Sequence, residues 1–179
     1  MAYIAIVLGL AILGHDQARA QDKPITGPAV PEALRPPAGE RVILRAHATG
    51  WQIYACTAGP DGKAQWTLKG PDAVLHDRKG AVIGHHSAGP KWKHADGSEV
   101  TGKAVAHVDA PDPKSIPWLL LTATGHSGDG LFSRVTSIQR LHTRGGQPPA
   151  ATQCDPARTD GEVRSKYTAD YYFYTPADK

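Results

Sequence analysis

The chain has 179 residues, 21% of them charged, with a formal net charge of +3. That length suits a single domain with its own core. Basic residues are dispersed among acidic ones: Lys91 and Lys93 lie near Asp96 and Glu99, and Asp155 and Asp160 frame Arg158. No basic stripe with interleaved aromatics occurs, which excludes nucleic acid as the expected partner.

Ile4 to Leu13 is an apolar run broken only by Gly9, followed by polar residues and then Ala18-Arg19-Ala20. This is the order of a secretory leader, so residues 1–20 are expected to be a signal peptide cleaved after Ala20. The run is shorter than the roughly 20 apolar residues a bilayer span needs, and no second apolar run follows, so no transmembrane span is expected. Residues 21–39 carry five prolines and read as a linker and N-terminal arm, leaving 40–179 as a single β domain. The expected location is secreted or periplasmic. In such a compartment the two cysteines, Cys56 and Cys154, are expected to form a disulfide that closes most of the domain. No CxxC motif exists to support a redox-active dithiol.

From residue 40 onward, glycine and proline interrupt the chain every few residues and leave little room for helices. Arg41 to Ala48 alternates, placing Val42, Leu44, Ala46 and Ala48 opposite Ile43, Arg45 and His47. Thr49-Gly50 reads as a turn into a second strand, Trp51 to Cys56, giving a hairpin. Gly59-Pro60-Asp61-Gly62 is a strong turn signal, because Pro presets φ and Gly tolerates positive φ. Short strand-like pieces follow at Gln65–Leu68, Ala73–His76 and Ala81–His85, and another lies around Val100–Val108. Ile116 to Ala123 is continuously apolar, as in a strand covered on both faces, with Pro117 at its start. Leu131 to Arg144 has one helical face, but its Val, Thr and Ser content favours a strand. Tyr167, Ala169, Tyr171 and Phe173 alternate along a last strand docked on the core. Turns every 8–12 residues between short strands predict an all-β fold, an antiparallel β-sandwich or alternatively a closed β-barrel.

Chemistry-bearing residues are scattered. Nine histidines invite a metal reading, and His85, His94, His107 and His126 are its candidates. Their spacing supplies no HxH or HExxH pattern, and the adjacent His85 and His86 point to opposite faces of a strand, so no metal or other cofactor is expected. Ser87 to Pro90 and His126 to Gly130 look like metal-loop phrases of copper–zinc superoxide dismutases. That family has a histidine after Gly-Pro where this chain has Lys91, so the likeness is one of loop composition. No hydrolase elbow and no phosphate-binding loop occurs. Trp92, beside Lys91, Lys93 and His94, is expected to be partly exposed. It is the candidate stacking platform of a ligand site whose polar groups would be His94, Asp96, His126 and Asp129.

The phrases Val30-Pro31-Glu32-Ala33-Leu34, Gln52-Ile53-Tyr54-Ala55-Cys56, Gly89-Pro90-Lys91-Trp92, Ile116-Pro117-Trp118-Leu119-Leu120 and Val135 to Arg140, with Cys154 and the tyrosine-rich tail, resemble a bacterial and fungal family termed domain of unknown function 3455. The resemblance covers nearly the whole chain after residue 20. It implies export and a single domain, and it supplies no catalytic residues. The expectation is an exported, non-enzymatic module for an envelope component or extracellular ligand. A metal-dependent enzyme using the histidines and a structural surface protein are the alternatives.

Overall fold

Alternating inward and outward side chains between turn residues produce eight strands: β1 (Glu40–Ala58), β2 (Ala64–His76), β3 (Val82–Ser87), β4 (Lys91–His94), β5 (Glu99–Val108), β6 (Trp118–Ser127), β7 (Ser137–Gly145) and β8 (Glu162–Pro176). These come from a computed structural model that describes residues 25–155 and 162–177. The segment expected as a signal peptide lies outside the described residues. No helix among them is long and apolar enough to cross a membrane.

Each strand pairs antiparallel with the next, and β1 also pairs with β8, so the sheet closes into a barrel. The all-β expectation holds in its barrel form, with one closed sheet in place of the two packed sheets of a sandwich. The reason lies in the long strands. The β1–β8 seam runs from Glu40 opposite Pro176 to Ala55 opposite Glu162, and bulges in β1, β5 and β7 bend the sheet until its edges meet.

Three local expectations change. Thr49-Gly50 is not a turn, because β1 runs straight through it. Gly50 is needed for close approach instead: a Cβ there would lie 2.2 Å from the Asp72 carbonyl oxygen and 2.5 Å from the Ala73 Cα. Gln65–Leu68 and Ala73–His76 are one strand, joined through Gly70 at φ +140, beside which the register with β1 shifts. Leu131–Arg134 is a 3₁₀ turn, and only Ser137–Gly145 of that segment is a strand.

The lumen side of β8 carries Tyr167, Ala169, Tyr171 and Phe173, all buried, as their alternation predicts. Its outer side is buried too. Tyr172 and Tyr174 join Val42, Leu120 and Leu141 under the N-terminal segment, where Leu34 is fully buried. Gln139 fastens this cover, donating from Nε2 to the Leu34 carbonyl at 2.6 Å and accepting from the Tyr174 hydroxyl at 2.6 Å. The bulge between Val42 and Leu44 places Val42 in this outer cluster while Ala46 and Ala48 face the lumen.

The two ends of the barrel differ. Phe132 and Val135, both fully buried, plug the end that carries the β6–β7 connection. At the other end, residues 146–154 are tied to β1 and β2 by the Cys56–Cys154 disulfide, by Tyr54 donating to the Gly146 carbonyl at 2.8 Å, and by Trp66 donating to the Ala150 carbonyl at 3.2 Å. The bridge spans 98 residues. In the chain-entropy model a loop of that size contributes about 4–5 kcal/mol, and loss of a native bridge commonly costs about 2–5 kcal/mol. The Cys56→Ser/Cys154→Ser variant is therefore expected to lose stability in that range in urea unfolding. Non-reducing mass spectrometry of the native chain should read two protons below the reduced form.

Candidate functional site

Every strand contributes to a cavity of about 330 Å³ at the unplugged end: Gln52 from β1, Leu68 from β2, His86 from β3, Trp92 from β4, Ala104 from β5, Leu119 and Leu121 from β6, Arg140 from β7 and Tyr171 from β8. The β3–β4 turn at Gly89-Pro90 and the β2 bulge at Gly70-Pro71 form part of its rim. It is the lumen of the barrel, and its volume falls at the small end of ligand pockets.

Alternation explains how polar groups come to lie inside. Ile138 and Arg140 are two apart on β7, so a strand that turns Ile138 into the core also turns Arg140 inward. Gln52 lies on the inward line of β1 between Ala48 and Tyr54. His85 and His86 point to opposite faces as expected: His85 is exposed, and His86 is buried against Trp92, their rings stacked at 4.3 Å and 4°. Tyr171 and Phe173 meet the Trp92 ring edge-on.

The polar atoms of this lumen are under-satisfied. Gln52 Nε2, Trp92 Nε1 and the Tyr171 hydroxyl are buried with no hydrogen-bond partner, and all three residues are about 1% exposed. The hydroxyls of Tyr167 and Tyr171 neighbour one another without reaching bonding geometry. Burial raises both hydroxyls above the usual tyrosine range, so they stay neutral. Burial, reinforced by the charge of Arg140, pushes His86 down to about 3. The ring is thus neutral, and since His86 Nδ1 lies 2.8 Å from the Lys91 carbonyl, that nitrogen carries the proton. Nε2 is left as an acceptor. Arg140 donates from Nε and Nη2 to the Pro117 carbonyl at 3.2 and 2.9 Å, and no carboxylate pairs with it among the described residues.

The residues singled out from sequence divide between two places. Trp92 lines the lumen and is 1% exposed rather than partly exposed, because the strand alternates and only its flanking Lys91 and Lys93 turn outward to Glu99. His94, Asp96, His126 and Asp129 lie toward the plugged end. Asp96 is a latch there: it accepts from the Ser98 hydroxyl at 2.6 Å and from the Leu131 N–H at 2.7 Å, and its carboxylate lies 3.0 Å from His94 Nδ1. The Leu131 and Ser98 bonds hold its carboxyl well below the usual range. Gly130 makes the latch possible, since a Cβ there would lie 2.4 Å from Asp96 Oδ2. His126 Nε2 lies 2.7 Å from the Val135 carbonyl, and Asp129 is exposed. His85 and His107 are exposed on β3 and β5. No group of three or more His, Cys, Asp or Glu among the described residues could hold a metal ion.

A second polar cluster, unforeseen from sequence, sits on the outer wall. Asp170 accepts from His47 Nδ1 at 2.9 Å, His142 Nδ1 at 3.0 Å and Arg45 Nη2 at 3.0 Å, joining β1, β8 and β7 across the seam. Burial pushes its carboxyl up, but these three partners outweigh burial and the net direction is down. Among the described residues, neither imidazole is hydrogen-bonded to a hydroxyl or thiol that it could activate, so the cluster has the form of a clamp.

Trp92→Ala is expected to cost about 3–5 kcal/mol in chemical denaturation, the range for deleting a buried aromatic ring. Asp96→Ala should lower the unfolding midpoint at neutral pH. Because folding depresses the Asp96 pKa, its contribution is complete above the unfolded value of about 4 and fades as pH falls toward the folded one. The gap between wild type and Asp96→Ala should therefore narrow on acidification below about pH 4, as read by melting curves.

No curated protein and no solved structure matches the chain. A family profile described as protein of unknown function (DUF3455) matches residues 37–175, which is the whole barrel bar the last residue of β8, and the chain belongs to that family.

Proposed function

We propose that the protein is an exported, non-enzymatic module that holds a small ligand inside its barrel. The observation that carries this reading is the lumen itself, an open-ended cavity with contributions from all eight strands and three deeply buried side chains whose polar atoms lack partners. An interior built only for stability would bury apolar groups there, since an unpaired buried polar group costs about 1–3 kcal/mol. A ligand entering at the Gly89-Pro90 rim would meet the side chains that carry these atoms, and a small shift of those side chains would let it supply the missing partners.

Export is supported by the leader-like order of residues 1–20 and by a disulfide, a bond that persists in oxidising compartments. The outer wall bears Arg45, His47, His85, Lys91, Lys93 and Glu99, the reverse of the apolar band of a lipid-facing barrel. A non-catalytic role is supported by the form of the two polar clusters, each a carboxylate engaged in holding strands or turns together. The ligand is then an envelope component or an extracellular small molecule.

Saturation-transfer NMR with benzamide, phenylacetamide and hexanamide, and with the matching acids, tests the reading. Wild type should show transfer to at least some of these probes. Leu119→Trp, which fills the cavity from β6, should lose it while keeping the native far-ultraviolet circular dichroism and the disulfide. Equal transfer in both proteins, or none in wild type, would sink the proposal.

A further inference from the structure

The lining of the lumen contains two cations, Arg140 inside and Lys69 at the exposed rim, and no aspartate or glutamate. Tyr54, His86, Tyr167 and Tyr171 feel the charge of Arg140, and all four are neutral. A guanidinium cannot shed its proton at any relevant pH, so it remains a charge without a counter-ion among the described residues. Its Nε and Nη2 contacts to the Pro117 carbonyl fix the plane of the group, and its guanidinium also lies beside the Tyr171 hydroxyl, with no carboxylate paired to it among the described residues. Two parallel N–H groups of a guanidinium match the two oxygens of a carboxylate.

Most of the remaining polar atoms have the same bias, the Nε2 acceptor of His86 being the exception. The Trp92 indole nitrogen and the Gln52 amide nitrogen are donors without partners, and the Tyr171 hydroxyl can donate as well. Around them the walls are apolar or aromatic, from Leu68, Leu119 and Leu121 to the Trp92 ring. The site is donor-rich and cationic within an apolar sleeve. It suits an acceptor-rich, singly charged head on an apolar body. A doubly charged phosphate would leave charge unmatched, since Arg140 is the one cation in the lining away from the exposed rim.

We propose that the lumen recognises a small organic monocarboxylate, with its carboxylate on Arg140 and its apolar body against Trp92 and the leucines of β6. This rests on the reading of the lumen as a ligand site. Lys69 at the mouth adds attraction for the incoming anion.

Isothermal titration of the full chain with matched acid and amide pairs (benzoate and benzamide, phenylacetate and phenylacetamide, hexanoate and hexanamide) separates the two claims. Wild type should bind at least one acid ten-fold or more tightly than its amide. Arg140→Gln should abolish that preference, bringing acid and amide to equal affinity, and Arg140→Lys, which keeps the charge without the fork, should recover part of it. Lowering the pH below the pKa of the acid should erase the preference in wild type and leave the amide unaffected. Equal affinity for acid and amide in wild type would overturn the monocarboxylate and leave the lumen reading standing. A preference that survives Arg140→Gln would overturn the assignment to Arg140. No binding of any acid or amide would overturn both the lumen reading and this one.

Discussion

Closing an eight-stranded sheet on itself creates an interior just wide enough for side chains to fill or for one small ligand to occupy. In this protein the β1–β8 seam imposes that constraint, and the choice of inward residues decides how the space is used. Toward the plugged end the interior is filled by Leu75, Val100, Phe132, Ile138 and Phe173, all fully buried. Toward the other end the inward positions hold Gln52, His86, Trp92, Arg140 and Tyr171, and a cavity remains. Burying an amide, an indole N–H and a guanidinium without full pairing is unfavourable for folding. That asymmetry within one continuous lumen separates a packed foundation from a solvent-accessible chamber.

Large and small residues are matched across the same interior. Ala46, Ala48 and Gly50 on β1 and Ala73 on β2 share one core cluster or strand line with Trp92, Tyr167, Tyr171 and Phe173. Gly50 is paired with Tyr167 across the seam, and a Cβ at Gly102 would lie 3.2 Å from the Trp92 ring. The bulky aromatic groups are thus accommodated by absent side chains. Close packing of this kind makes the chamber wall rigid, so the unpartnered donors are held in place by the core behind them.

Much of the architecture was legible because a strand has a period of two. The inward line Tyr167, Ala169, Tyr171 and Phe173, the opposite faces of His85 and His86, and the start of β6 after Pro117 all follow from it. Closure was not legible, since no single residue marks a seam and a bent strand has the same alternation as a flat one. Gly50 misled for a related reason: glycine marks a turn or a close approach, and only the neighbouring strand decides which. The site was half legible. The Lys91-Trp92-Lys93 alternation already places Trp92 opposite its lysines, and the two-residue step from Ile138 to Arg140 already places a cation on a core-facing line. What sequence could not supply was the convergence of Arg140, His86, Gln52 and Tyr171, which come from four different strands.

The disulfide acquires a further meaning from the same geometry. Gln52, Tyr54 and Cys56 succeed one another along the inward line of β1. Gln52 lines the chamber, Tyr54 holds the Gly146 carbonyl, and Cys56 is bonded to Cys154. The bridge is therefore at the unplugged end, where the β7–β8 connection meets β1, and it lies far along the chain from the Asp96 latch that secures the plug. Each end has its own fastening, covalent at one and a hydrogen-bonded carboxylate at the other. Reduction would remove the covalent tie on residues 146–154 and leave the hydrogen bonds of Tyr54, Trp66 and Gln147 to hold them, while the plug keeps its Asp96 latch, so the redox state of the compartment bears first on the wall of the chamber.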